Sequence, residues 1–462
     1  MKVYNTVTRK KEEFVPLTPG EVRMYVCGVT PYDYSHIGHA RSAMVFDVVR
    51  RYLTFRGFRV KMVRNYTDVD DKIIKRANQE GVPADQIAQR YIAAEIEDMA
   101  SLGVMAPDVA PRATEHIPAM VAWIERLVAK QVAYVLAGDV YFEIRRFPPY
   151  GRLSGKNLDE LLAGARVEVD ERKRDPRDFA LWKAAKPGEP SWPSPWGPGR
   201  PGWHIECSVM SIQYLGETFD IHGGGSDLIF PHHECEIAQA EAETGKTFSR
   251  FWLHNGMLNL GAEKMSKSLG NTLTIKEFVK RHDPQAIRFW LLGTHYRHPV
   301  DFGEERVREA SRALERLWGP VEQTRALPAA ASGPEGSPAP PAEFVPFRDR
   351  FVAAMDDDFN TPQAIGVLFE LASALNANPG GRAPAEQKAG ARELARLASV
   401  LGLSEPAQQP VPAVVERLVA ERLAARTRRE WKRSDELRDE IRRHGWTVED
   451  TPAGPRVART LS

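Results

Sequence analysis

The residues of this 462-residue chain best suited to metal chemistry are three scattered cysteines and one dense run, Pro231-His-His-Glu-Cys-Glu236. Near the start of a helix, His232 and Glu236 are four apart and point the same way, the spacing by which one helix offers two ligands to one metal. Cys235 lies three from His232 and competes for that role, and spacing does not choose between Cys235 and Glu236. Cys27 and Cys207 sit at or just after strand-like runs, so they approach the same helix if two halves of a sheet pack side by side. Cysteines so far apart are also often plain buried thiols.

A second chemistry is written at His36-Ile-Gly-His39. If a helix begins there, its unpaired backbone N–H groups, Gly38 and two imidazoles converge on one anion, and phosphate is the natural guest. The same residues also suit a helix cap. Far along the chain, Lys264-Met-Ser-Lys267-Ser268 sits among glycines and makes a cationic loop suited to charge building on a polyphosphate.

These residues need a scaffold. Met24–Val26 reads as a doubly buried strand, followed by a helix with Val45, Val48, Val49, Tyr52 and Leu53 on one side and a stop at Gly57; Arg59–Val63 is the next strand. This is a βαβ unit, and Thr67 falls in the polar loop where open parallel sheets hold ligands. From 85 to 132 the pattern is helical, with Tyr91, Ile92, Ile96 and Met99 in phase; Tyr134–Phe142 is hairpin-like, and a helical piece is expected after Tyr150. The strand-like run Phe219–His222 ends at Gly223-Gly-Gly225, a place for close backbone approach to a ligand. The expectation is an α/β doubly wound parallel sheet, Rossmann-like, split by an insertion and followed by an α-helical bundle and a small C-terminal domain. The segments are 1–77 with 200–282, the inserted 78–199, a helical 283–403 interrupted by a Pro-rich linker at 327–341, and 413–462.

Net charge is +1, from 63 Lys+Arg against 62 Asp+Glu, so no global basic field announces nucleic acid. Three cysteines do not make a disulfide framework, and there is neither a signal-peptide core nor a membrane-length apolar run, so a cytoplasmic protein is expected. In the last segment Arg428-Arg429, Lys432-Arg433 and Arg442-Arg443 interleave with Trp431 and Trp446, which fits phosphate contact and base stacking as well as a salt-bridged helix face.

His36-Ile-Gly-His39 and Lys264-Met-Ser-Lys-Ser268 resemble the paired signatures of class I aminoacyl-tRNA synthetases. Tyr25-Val-Cys-Gly-Val-Thr-Pro-Tyr32, Gly202-Trp-His-Ile-Glu-Cys-Ser208, His222-Gly-Gly-Gly-Ser-Asp-Leu-Ile-Phe-Pro-His-His-Glu234 and Asp357-Asp-Phe-Asn-Thr-Pro362 resemble the cysteinyl-tRNA synthetase family in particular. The resemblance spans essentially the whole chain. It implies one zinc ion held by Cys27, Cys207, His232 and Glu236, with Cys235 a bystander. It implies ATP, with Mg2+, at Thr30, His36, Gly38, His39 and Lys267, with Lys264 beside it, and a pocket for L-cysteine at Thr67, Trp203, His222 and Asp227. It further implies tRNA(Cys) as partner, an inserted connective domain, a stem-contact region in 283–403, an anticodon-binding tail and a monomer.

The resemblance also gives zinc a purpose. Shape separates cysteine from serine by only ~1–3 kcal/mol, whereas a thiol ionises on the metal and an alcohol does not. A related ligase joining cysteine to an amino sugar in the mycothiol pathway is the alternative, and such relatives lack a full anticodon-reading tail.

Overall fold

The computed structural model describes residues 1–155, 172–260, 263–264, 273–325, 342–377, 382–406, 411–451 and 454–459. The helical piece expected after Tyr150 falls largely, and the linker 327–341 wholly, outside the described residues, as do Lys267 and Ser268.

Strands in chain order are β1 (Lys2–Asn5), β2 (Lys10–Glu13), β3 (Glu21–Val29), β4 (Arg59–Tyr66), β5 (Ala133–Leu136), β6 (Asp139–Phe142), β7 (Phe179–Ala184), β8 (Gly199–Pro201), β9 (Phe219–Gly225) and β10 (Ser249–Asn255). Four of them form one all-parallel sheet in the order β10–β9–β3–β4, and β5–β8 form a separate antiparallel sheet between its two halves. Because β3 pairs with β4 on one side and with the late strand β9 on the other, strand order reverses beside β3. In open parallel sheets such a reversal is where ligands bind, outside the carboxyl ends of the strands. The doubly wound α/β expectation describes this core.

β3 takes its central place because Val22, Met24, Tyr25 and Val26 are all buried, which only an interior strand allows. The helix α1 (Ile37–Phe55) follows it, and besides the expected Val45, Val48, Val49, Tyr52 and Leu53 it buries Arg41 and Asp47. Both polar side chains reach partners in the helical region: Arg41 donates to the carbonyls of Leu291 and His295, and Asp47 pairs with Arg288. A helix covered by the sheet on one side and by helices on the other cannot keep a polar face.

Four local expectations change. Ile96 is 55 % exposed, because Glu95 turns inward to accept from Tyr66 Oη at 2.7 Å and to pair with Arg64 at 2.8 Å. Cys207 lies on a helix, Trp203–Leu215, since Gly202 ends the three-residue β8 and starts the helix at once. The helix expected to carry His232 begins only at Glu234; Ile229–His233 is an irregular turn with Phe230 extended, where Pro231 supplies no N–H. Trp446 is buried with Val415, Leu418, Leu437 and Ile441 in a small C-terminal core, so it cannot stack on a base, whereas Trp431 is 57 % exposed.

Beyond the sheet, the helices Pro284–Leu292, Glu304–Arg325, Val345–Asp356, Thr361–Asn376 and Pro384–Val400 pack on α1 in one continuous apolar core. The tail holds two helices, Ala413–Thr427 and Trp431–Arg443, and a closing hairpin, Trp446–Thr451 with Gly454–Arg459. Among the described residues no helix is long and apolar enough to cross a membrane.

Candidate metal centre and active site

Near the carboxyl end of β3, Cys27 meets three side chains from the other half of the sheet. Its Sγ lies 3.7 Å from Cys207 Sγ and 3.4 Å from Glu236 Oε1, and Glu236 Oε1 lies 3.0 Å from His232 Nε2. The donor atoms of Cys27, Cys207, His232 and Glu236 all fall within 4.8 Å of one another, and all four residues are buried. Zinc with sulfur at about 2.3 Å and nitrogen or oxygen at about 2.0–2.2 Å needs tetrahedral edges of about 3.3–3.8 Å. The two sulfurs and the thiol–carboxylate pair already have that spacing, and the nitrogen–oxygen edge is slightly tighter. The donor set therefore fits zinc. Cys235 faces away, its Sγ 3.2 Å from Tyr150 Oη, so the choice that helical spacing left open is made by the direction of the side chains.

The charges are balanced within the cluster. Burial would raise the Glu236 carboxyl, but His222 and His232 beside it hold it well below the carboxylate range. Burial would lower His232, and Glu236 and Cys207 instead lift it to about 10. Burial and the neighbouring Cys207 push the Cys27 thiol well up; Cys207, despite burial, is brought down to about 6 by the hydrogen bond from Cys27 and by His232.

His36 and His39 form the N-terminus of α1. His36 Nδ1 accepts from Gly38 N at 3.1 Å, His39 Nδ1 accepts from His36 N at 3.2 Å, and the rings stack with centroids 3.8 Å apart. A Cβ at position 38 would lie 2.9 Å from the His36 ring, so a larger residue there would have to displace the imidazole. Thr30 directly follows β3. Residues 273–275 are tied to the same place: Ile37 N donates to Leu273 O at 3.2 Å, and Ile275 N donates to Ser35 O at 3.0 Å. Residues 273–275, which come a few positions after the cationic motif in the sequence, are thus held beside the start of α1. Lys264 ends the short strand Glu263–Lys264, and Lys267 lies outside the described residues.

Of the four residues expected to line the amino-acid pocket, His222 Nε2 lies 2.8 Å from Glu236 Oε2, and Trp203 stacks on His232 at 4.1 Å while staying 40 % exposed. Thr67 is buried just beyond β4, its N–H donating to Val29 O at 3.1 Å. Asp227 sits in the turn after Gly225. Residue types had not pointed to His233, His254, His204 or Thr6. His233 Nε2 lies 3.3 Å from Cys27 Sγ, and His204 Nδ1 lies 2.8 Å from His232 Nδ1. For His233 the signal was the doublet His232-His233 and for His254 the alternation Trp252, His254 on β10; Thr6 carried none. A groove of about 650 Å³ also opens between Asp68–Ile92 and the turn Gly188–Trp192 of the inserted segment.

Residues 13–312 match the model of the class I tRNA synthetase (C) catalytic domain, 350–405 the DALR domain, and 409–455 the cysteinyl-tRNA ligase anticodon binding domain. The chain is 52 % identical to a cysteine–tRNA ligase of Geobacter metallireducens and 50 % identical to one of Symbiobacterium thermophilum, covering 98 % and 99 % of both chains respectively. Among solved structures it resembles a methionyl-tRNA synthetase of Mycobacterium tuberculosis bound by methionyl-adenylate. That likeness has a TM-score of 0.60 at 15 % identity, over 83 % of this chain and 90 % of that one, and it speaks for the fold.

Proposed function

The chain belongs to the cysteine–tRNA ligase family of class I aminoacyl-tRNA synthetases, and from that premise we propose a division of labour among its side chains. The family reaction joins L-cysteine to tRNA with ATP, through cysteinyl-adenylate, and this chain is a ligase of that kind. Cys27, Cys207, His232 and Glu236 hold one zinc ion, and the observation that carries this reading is their four converging, buried donor atoms. Zinc bound there would take the substrate sulfur as a thiolate and hold a hydroxyl only weakly, so the selection against serine is chemical.

Trp203 and Thr67 flank the amino acid, and Asp227 meets its polar end. His222 acts through Glu236, whose second oxygen it holds. The cysteine carboxylate attacks the α-phosphorus of Mg2+-ATP in line and pyrophosphate leaves. His36, His39, Thr30 and the backbone at Gly38 cradle the phosphates at the start of α1, while Lys264 and Lys267 steady the charge that develops. The anchoring of residues 273–275 beside His36 supports bringing that loop to the nucleotide.

The terminal ribose hydroxyl of the tRNA then displaces AMP. The helical region and the tail hold the tRNA, with the exposed Trp431 and its neighbouring arginines as the base-stacking surface. Ligation to an amino sugar is not favoured, because residues 409–455 match an anticodon binding domain.

The test is cysteine-dependent ATP–pyrophosphate exchange and tRNA charging by purified chain of measured zinc content. Both activities are expected to track zinc. Equal exchange with serine and cysteine would refute the selection proposed.

A further inference from the structure

From the metal cluster a line of buried side chains leads out to the N-terminal arm. Cys27 Sγ lies 3.3 Å from His233 Nε2, His233 Nδ1 lies 2.8 Å from His254 Nε2, and His254 Nδ1 lies 2.8 Å from Thr6 Oγ1. We propose that Thr6, His254 and His233 form a one-way hydrogen-bond relay whose last N–H is donated to the Cys27 sulfur, which makes all three positioning residues of the metal centre.

The direction follows from the ligand set. A second donor set, Cys27, His222, His233 and Glu236, also gathers within 4.8 Å. With the metal on Cys27, Cys207, His232 and Glu236, as proposed above, His233 is not a ligand, and His222 Nε2 faces the second oxygen of Glu236 at 2.8 Å. His233 Nε2 then faces a sulfur that, once metal-bound, can only accept, so it carries the hydrogen. Its Nδ1 must accept from His254 Nε2–H, and His254 Nδ1 must accept from the Thr6 hydroxyl. Each neutral imidazole has one donor and one acceptor, so setting the last bond sets every other.

The rings are not free to choose otherwise. His222 stacks on Trp252 at 4.3 Å and meets His233 edge-on at 4.6 Å. Thr6 is registered on β10 by its own N–H to Trp252 O at 2.9 Å, and by Asn5, which accepts from Trp252 N at 3.1 Å and donates to Arg250 O at 2.9 Å. Thr6 precedes residues 13–312, the stretch that matches the catalytic-domain model. The relay thus gives the β1–β2 arm a role at the metal. An N–H to a ligand thiolate fixes the direction of its lone pair, so the sulfur is held aimed at the metal position and binds more tightly than a free one would.

The inference rests on the zinc reading above, and the experiment separates the two. Full-length parent, Thr6→Val, Thr6→Ser and His233→Leu proteins are loaded with zinc for chelator competition, and with Co(II) for the near-ultraviolet sulfur-to-cobalt band. Thr6→Val, nearly isosteric at a partly exposed site, is expected to bind zinc about tenfold more weakly and to shift the band. Thr6→Ser should match the parent in both. His233→Leu should shift the band further at unchanged intensity per cobalt, because the number of thiolates is unchanged. A Thr6→Val protein equal to the parent, or a Thr6→Ser protein equal to Thr6→Val, overturns the relay. A parent with no sulfur-to-cobalt band overturns the metal reading itself, and the relay with it.

Discussion

His222 Nε2 stands 2.8 Å from one oxygen of Glu236 while the other oxygen stands 3.0 Å from His232 Nε2, so a single buried carboxylate is held from both ends. One histidine orients the carboxylate and the other sits with it among the donors. The carboxylate is thus aimed before any metal arrives.

The first prediction uses two adjacent residues that a sequence cannot rank. Glu236→Gln removes a charged donor and is expected to abolish stoichiometric zinc; Cys235→Ser changes a thiol that faces Tyr150 and is expected to leave zinc content at the parent level. Metal analysis of both purified proteins decides it, and zinc loss in the serine variant would contradict the geometry described.

At the start of α1, capping can be separated from phosphate binding. Asn is a good N-cap, so His36→Asn should keep the helix, with a stability change under about 1 kcal/mol in denaturant titration. Pyrophosphate exchange should nevertheless fall by about a hundredfold or more, the typical loss on removing a donor aimed at developing charge. Unchanged exchange would leave His36 as a cap alone.

Arg288 and Asp47 are both fully buried, and Arg288 also donates to Leu401 O at 2.7 Å, tying the helical region to α1. Burial pushes the Arg288 guanidinium down in pKa, and Asp47 opposes that. Arg288→Ala removes the buried guanidinium and leaves Asp47 with only Arg51 and the Met105 N–H, and is expected to cost about 3–5 kcal/mol in urea unfolding. Arg51→Ala, at the solvent-side partner of the same carboxylate, should cost under about 1 kcal/mol.

Asp98 supplies a pH dependence. Burial raises its carboxyl to about 6, with the charge of Lys276 only partly opposing, and among the described residues its Oδ2 has no hydrogen-bond partner. A folded pKa above the unfolded one means that the native state binds more protons between about pH 4 and 6, so stability falls as pH rises through that window. Asp98→Asn should therefore raise the melting temperature at pH 8 and lose that advantage by pH 4, which melting curves across the range will show.

Trp431 tests the tail. It is exposed beside Arg426, whose guanidinium lies 5.6 Å from the ring, and Trp431→Ala should weaken tRNA charging by about tenfold or more while leaving exchange unchanged. A fall in exchange would place it elsewhere in the mechanism.

Periodicity and punctuation made the βαβ unit legible: Met24–Val26, the α1 stripe and Gly57 lie next to one another in the chain, and local rules govern them. The motifs at His36–His39 and Pro231–Glu236 were legible as donor types, because chemistry restricts which side chains bind phosphate or metal. What the chain alone left open was direction. Whether Cys235 or Glu236 faces inward, and which way Glu95 or Trp446 turns, depends on partners tens to hundreds of residues away, and so does the strand order that sets Cys27 of β3 against the helix Trp203–Leu215. The relay from Thr6 was invisible for the same reason. A threonine near one end and two histidines past the middle carry no mutual signal until β10 pairs with β9, and the arm lies down across it.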